Sequence, residues 1–220
     1  MSDVATVDRL VDAISEAMPP LSARQLALVL SAYRAMVAGT PAEVTAIAAR
    51  ADWRSDEAAS QLREWPGVYF DHEGSVVGFW GLSVAPMSTH LVTTKAGISW
   101  AWCALDPLFI LPLIDQRGTV AARSGVTGKP VELVVTRDRV TPLAAGGDEI
   151  FVSFLTPTGP FSSDIRLTFC DYVLFFDSTQ SAELWTSEHS GTFALPLDEA
   201  ATIGRRLAER LRKHSPTTVE

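Results

Sequence analysis

Apolar residues recur at helical spacing through the first part of the chain and then switch to alternation, and this change of period divides the sequence. Val7, Leu10, Val11, Ile14 and Met18 share one face of a helix over 4–18, which Pro19 and Pro20 end. Ser22 is placed to cap a second helix reaching about Val37, with Leu26, Val29, Leu30 and Tyr33 inward and Gly39 as its stop. Thr40-Pro41, with Glu43 three residues after the threonine, predicts a capped third helix to about Arg50. Ser55-Asp-Glu opens a fourth to about Glu64, and 67–82 alternates as two short strands around His72–Ser75.

From about Ser83 the pattern predicts strands at Thr89–Thr94, Val131–Thr136, Glu149–Leu155 and Ile165–Phe176, separated by turn clusters at 144–148 and 156–160. A last helix is predicted over Asp198–Lys213, with Ala201, Leu207 and Leu211 inward and Arg210, Arg212 and Lys213 at its negative end. The tail Ser215–Glu220 reads as loose. The expected class is therefore α+β: a winged-helix-like helical domain over 1–82, then a mixed β-sheet domain with flanking helices over 83–220 that carries both cysteines.

Composition sharpens this picture. With 47% apolar and 20% charged residues in 220, the chain has the material for a sizeable core. A winged-helix order suggests DNA, but the net charge is −8, and the helix that would enter the groove carries Asp56, Glu57 and Glu64 against Arg63. No nucleic-acid partner is expected, and a structural or shielding role suits this segment better. Apolar runs are broken by Asp106 and Asp115 before reaching the roughly 18–20 residues of a membrane span. The acidic N-terminus lacks the basic start and apolar stretch of a secretory signal, so a cytoplasmic protein with no membrane partner is expected. Its two cysteines are then expected as free thiols.

Those thiols are the candidate chemistry. In Trp100-Ala-Trp-Cys-Ala-Leu-Asp-Pro-Leu-Phe109, Cys103 and Asp106 are three residues apart, on one side of a helical turn. Pro107 places a helix start at Asp106 or slightly earlier, so both groups lie near its positive end, where thiolate and carboxylate are favoured. Cys170 falls in the predicted strand 165–176, sharing a face with Tyr172 and Leu174 and opposite Phe169, Asp171, Val173 and Phe175. Spacing does not decide whether the two thiols meet, and either could be core filler. His72, His90, His189 and His214 are scattered, without metal-ligand spacing, and a cysteine hydrolase would have only His90 to offer as base.

Three segments together, Trp102-Cys-Ala-Leu-Asp106, Ser124–Thr136 and Phe169-Cys170 followed by Val173–Phe176, resemble the organomercurial lyase (alkylmercury lyase) family. Ala48–Glu64 and the Gly74–Leu82 hairpin are weakly similar to that family's winged-helix-like domain. The resemblance implies protonolysis of a carbon–mercury bond, releasing a hydrocarbon and Hg(II). Cys103 and Cys170 would bind mercury, a soft ion that prefers thiolate sulfur, while Asp106 would carry a thiol proton to carbon. Trp100, Trp102, Phe109, Phe169 and Trp80 would wall an apolar pocket that accepts alkyl or aryl groups and raises the Asp106 pKa. The resemblance implies no cofactor; small thiols would assist turnover and take the Hg(II), or hand it to a mercuric reductase. Two positions depart from the family pattern, Ser124 and Asp171, each standing where some members carry a further cysteine. Asp171 is expected to be structural or solvent-facing. The alternative is a non-catalytic protein that binds or senses Hg(II) or Cu(I) with the same thiols.

Overall fold

The helical period of the first half is realised as four helices. In the computed structural model, which describes residues 4–143 and 149–213, α1 spans Val4–Ala17, α2 Ala23–Met36, α3 Val44–Arg50 and α4 Ser55–Glu64. The turn expected at 144–148 and the tail from Ser215 lie outside the described residues. Ser22 caps α2: its hydroxyl accepts from the Gln25 N–H at 3.2 Å, and the Gln25 side chain accepts from the Ser22 N–H at 2.9 Å. Thr40, by contrast, does not cap α3. Ala42 exchanges both of its backbone bonds with Val76, at 2.9 Å each, so the chain stays extended past Pro41 and the helix begins only after Glu43. A paired backbone satisfies two polar groups where the side-chain cap would satisfy one.

Strands β1 (Val68–Phe70), β2 (Val76–Phe79), β3 (Leu82–Ser83), β4 (His90–Thr94), β5 (Ile98–Ala101), β6 (Gly118–Arg123), β7 (Pro130–Val135) and β8 (Val140–Pro142) form one sheet in the order β1-β2-β3-β5-β4-β6-β7-β8. β9 (Phe151–Leu155), β10 (Phe175–Phe176) and β11 (Thr192–Pro196) form a second, ordered β10-β9-β11. Every pairing among the described strands is antiparallel, where a mixed sheet was expected. No helix here joins two neighbouring parallel strands: α5 (Leu105–Leu113) leaves β5 and returns to β6, but β4 lies between them. β3 pairs with β2 on one side and β5 on the other, so the hairpin of the first half continues into the sheet of the second.

Helix α5 is apolar all round and buried from Leu108 to Leu113, as a helix at the centre of a molecule must be. The C-terminal helix α8 (Leu197–Lys213) fixes it twice. At Gly204 a methyl group would stand 2.3 Å from the Leu108 carbonyl oxygen, so only glycine allows the two helices to approach this closely. Arg212 donates to the Leu113 oxygen at 3.0 and 3.2 Å and to the Pro112 oxygen, satisfying carbonyls at the end of α5 rather than of its own helix. Arg206 and Arg210 pair with Asp8 and Asp12, which binds α1 to the same helix.

The largest departure from expectation is 165–176, which is not a strand. It folds as a short helix α6 (Ile165–Thr168), a 3-10 turn over Cys170–Tyr172 and then β10, after which α7 (Thr179–Glu188) leads to β11. Phe169 and Cys170 are consecutive and both buried, which period-two alternation cannot provide, and Phe175-Phe176 repeats the pattern. A short apolar run carries no reliable period, and here the turns of 3-10 type bury neighbours together. The predicted face-sharing of Cys170 with Tyr172 and Leu174 falls with the strand.

Candidate active site

Cys103 and Asp106 are positioned by the junction of β5 and α5. The strand ends at Ala101, held on both sides by Leu82 and His90, and the Trp102 N–H extends the pairing by donating to the Gly81 oxygen at 2.8 Å. The chain then turns into α5, which starts at Leu105, one residue earlier than an Asp106 cap would have it. Asp106 reaches back so that one carboxylate oxygen accepts the Cys103 N–H at 2.7 Å. Gly81 supports this from the other side: at φ 101° it is in a region glycine favours, and a Cβ there would lie 2.3 Å from the other Asp106 oxygen.

Cys170 arrives from the 3-10 turn that leads into β10 of the second sheet. The Ala104 N–H donates to the Val173 oxygen at 2.9 Å, a single bond that ties the start of α5 to the 3-10 turn. The ligand atoms of Cys103, Asp106 and Cys170 thereby all lie within 4.8 Å of one another. Both cysteines are buried and free. All three sequence-predicted site residues are brought together, although they come from two sheets and one of them from a misassigned element.

Beside this trio is a cavity of about 70 Å³. Of the predicted wall, Trp80, Trp102, Phe109 and Phe169 line it and Trp100 does not. Trp100 belongs to β5 proper, on the face opposite the buried Ser99 and Ala101, whereas Trp102 follows the strand's end and turns inward. The sequence did not mark Tyr33, Gly81, Phe161, Ile14 of α1 or Met18 just after it as site residues, and all of them also line the cavity. Tyr33 donates its hydroxyl to the Trp80 oxygen at 2.9 Å, fixing the turn that carries Gly81.

Burial governs the protonation of the trio. It lifts Asp106 to about 7, against the bonds it receives from Cys103 and Trp102. The carboxyl has some accessibility only because it opens on the cavity. Burial also raises the Cys103 thiol well above its ordinary range, reinforced by Cys170 and the Asp106 carboxylate. For Cys170 the Cys103 thiol favours the anion, but burial with Asp106 and Asp171 outweighs it and the pKa rises. The thiolate expected from the start of α5 is thus overturned: in a dry site the loss of water exceeds a helix-end effect of about 1 kcal/mol.

The two positions that depart from the family pattern have separate explanations. Ser124 is buried and donates to Asp177 at 2.7 Å, in a network with Thr127 and Ser181 and with Lys129 paired at 3.2 Å. Asp171 is solvent-facing, 4.0 Å from Arg166.

The alkylmercury lyase family profile covers residues 82–209. An alkylmercury lyase of Pseudomonas putida is 32% identical over 188 residues, 86% of each chain. The chain belongs to the alkylmercury lyase family. Another alkylmercury lyase, from Staphylococcus epidermidis, is 35% identical over 179 residues, covering 81% of this chain and 80% of that one. The fold of this family member also matches the crystal structure of the mercury-bound form of MerB2, with a TM-score of 0.67 at 18% identity over 94% of this chain and 99% of that one. No helix of this alkylmercury lyase family chain, among its described residues, is long and apolar enough to cross a membrane.

Proposed function

We propose that the protein cleaves carbon–mercury bonds by protonolysis, with Cys103 and Cys170 holding mercury and Asp106 moving the proton. The observation that carries this reading is the convergence of two thiols and one carboxyl within 4.8 Å. A thiol-bound organomercurial enters with its organic group in the apolar cavity. As each cysteine sulfur bonds mercury it gives up a proton. One proton releases the carrier thiol; Asp106 accepts the other and passes it to carbon, which keeps the electron pair of the breaking carbon–mercury bond. The balance is closed: two enzyme thiols and one thiol-bound organomercurial give a hydrocarbon, a free carrier thiol and mercury held by two thiolates, with no redox step.

No cofactor is needed for that balance. Small thiols restore the two cysteines by removing Hg(II), directly or on the way to a mercuric reductase, and the reducing cytoplasm suits the free thiols. Helices α2–α4 with the hairpin β1–β2 act as a winged-helix-like unit that shields the site, contributing Tyr33 and the Trp80-Gly81 turn to its wall. Excluding water there strengthens the proton transfer.

The test is incubation of purified protein with methylmercury and excess small thiol, following headspace methane and bound Hg(II) together. Catalytic methane is expected from the wild type. Asp106→Ala should still bind Hg(II) and release no methane, and Cys103→Ser or Cys170→Ser should lose release as well. Stable mercury binding by the wild type without methane would make the protein a soft-metal trap instead.

A further inference from the structure

We propose that Tyr33, a residue of α2 in the helical first half, is a positioning residue for Asp106: its hydroxyl holds the Trp80–Gly81 turn against the carboxyl and keeps that carboxyl beside the two thiols. The inference rests on the site being one for carbon–mercury cleavage and concerns what orients its proton relay.

Phe79 and Leu82 are paired, so Trp80 and Gly81 alone join β2 to β3. Both have positive φ, 33° and 101°. Glycine accepts such angles freely, but a bulky side chain there is an outlier, and a strained backbone persists only where its surroundings over-determine it. At Trp80 they do. Its indole N–H donates to the Pro66 oxygen at 2.8 Å and its ring stacks on Phe79, with centroids 4.9 Å apart, which fixes the side chain. The carbonyl that leads into Gly81 is fixed by Tyr33, whose buried hydroxyl donates to it at 2.9 Å.

Gly81 in turn packs on the relay. A Cβ there would stand 2.3 Å from Asp106 Oδ1 and 2.6 Å from the carboxyl carbon, while Oδ2 accepts the Cys103 N–H at 2.7 Å. The carboxyl is thus confined between the glycine backbone on one side and Cys103 on the other. The Tyr33 ring also stands edge-on to Phe109, with centroids 6.4 Å apart, three residues beyond Asp106 on α5. Its ring therefore secures the helix and its hydroxyl the turn; phenylalanine would keep the first and delete the second. Without the hydroxyl, Trp80 relaxes towards an ordinary φ, Gly81 withdraws, and the carboxyl gains rotamers directed away from the thiols. Mercury still binds sulfur, and proton delivery to carbon slows.

The experiment compares Tyr33→Phe with Ser31→Ala, a matched control that deletes another buried hydroxyl bond of α2, from Ser31 to the Ile47 oxygen at 2.7 Å. Methane release from methylmercury with excess small thiol gives kcat and KM, bound Hg(II) is counted at saturation, and the amide proton resonance of Cys103 in the empty protein reports its bond to Asp106. Tyr33→Phe should lower kcat at least fivefold with KM and bound Hg(II) unchanged, and should shift the Cys103 amide proton upfield; Ser31→Ala should match wild type in each. A kcat for Tyr33→Phe within twofold of wild type, an unmoved Cys103 amide, or an equal loss in Ser31→Ala overturns the inference while leaving the lyase intact. A wild type that releases no methane overturns the reading of the site instead. The amide resonance then decides alone whether Tyr33 positions the carboxyl: a shift confined to Tyr33→Phe supports it, and an unmoved signal overturns it.

Discussion

Replacing Asp106 by asparagine should stabilise the empty protein at neutral and alkaline pH while abolishing turnover. Folding moves this carboxyl from an ordinary value of 3.8 to about 7, mainly by burial. A carboxyl whose pKa is raised on folding favours the native state while protonated. That contribution is fully present below about pH 4, declines as the unfolded chain ionises, and is gone above about pH 7. At 1.36 kcal/mol per unit, the full penalty for holding the charge in the fold is about 4 kcal/mol. Asparagine is neutral in both states and keeps an oxygen able to accept the Cys103 N–H, so it escapes the penalty.

The observable is the difference in unfolding free energy between variant and wild type as a function of pH, from urea titrations at fixed ionic strength. It should grow by about 2.5 kcal/mol in favour of the variant between pH 5 and pH 8.5, whatever constant offset the substitution itself brings. A difference independent of pH over that range would show that Asp106 ionises normally in the fold. The proton-shuttle reading would then lose its physical basis.

Gly81→Ala should cost at least about 2 kcal/mol and cleavage activity together, because φ 101° disfavours a side chain and the new methyl would displace the Asp106 carboxylate; urea unfolding and methane release check both. Ser124→Ala should cost about 1–2 kcal/mol without loss of methane release, since it breaks a buried hydrogen bond remote from the trio. Bonds from Ser124 and Thr127, with Lys129, overcome burial and hold Asp177 well below the usual carboxylate range. That stability is present above about pH 4 and lost as pH falls, so the acid-unfolding midpoint of Ser124→Ala should move to higher pH. Finally, kcat/KM for methylmercury should rise with pH through an apparent pKa near 7 as Asp106 becomes able to accept a proton; a profile that falls or stays flat between pH 5.5 and 8.5 contradicts that role.

Much of the scaffold was legible because long amphipathic runs have an unambiguous period: α1, α2, α4 and α8 lie within a residue or two of their predicted bounds. The pairing of Cys103 with Asp106 was legible from their spacing of three, although Cys103 lies before α5 and it is the Asp106 carboxylate, accepting the Cys103 N–H, that joins them. Cys170 was named through resemblance alone, since no local pattern could show that a hydrogen bond from Ala104 to Val173 brings it to the other two. The sign of the thiol shift was misjudged because a helix start is visible in sequence and burial on all sides is not. Tyr33 read as one more inward position of an amphipathic helix, and Phe161 fell just past the turn cluster at 156–160 with no pattern to mark it. Gly81 had a usable signal, a glycine between two apolar alternating stretches, which marks a tight turn or a close approach.

The protonation of the trio accounts for its composition. Thiols raised above their ordinary values stay protonated near neutral pH, so the empty site offers no reactive thiolate to oxidants or alkylating agents. In the proposed reaction a soft metal would still bind there, because mercury displaces thiol protons itself and metal binding to sulfur releases protons by necessity. Those released protons would be the reagents of the proposed protonolysis. What the site then requires is a relay weak enough as an acid to collect a proton from sulfur and strong enough to surrender it to carbon. A carboxyl near 7 meets that condition, whereas an exposed aspartate near 4 would be a poor acceptor and a lysine near 10 a poor donor. The apolar surroundings that make Asp106 such a relay also silence the thiols, so a single physical cause, burial of the junction between β5 and α5, prepares all three groups for the same chemistry.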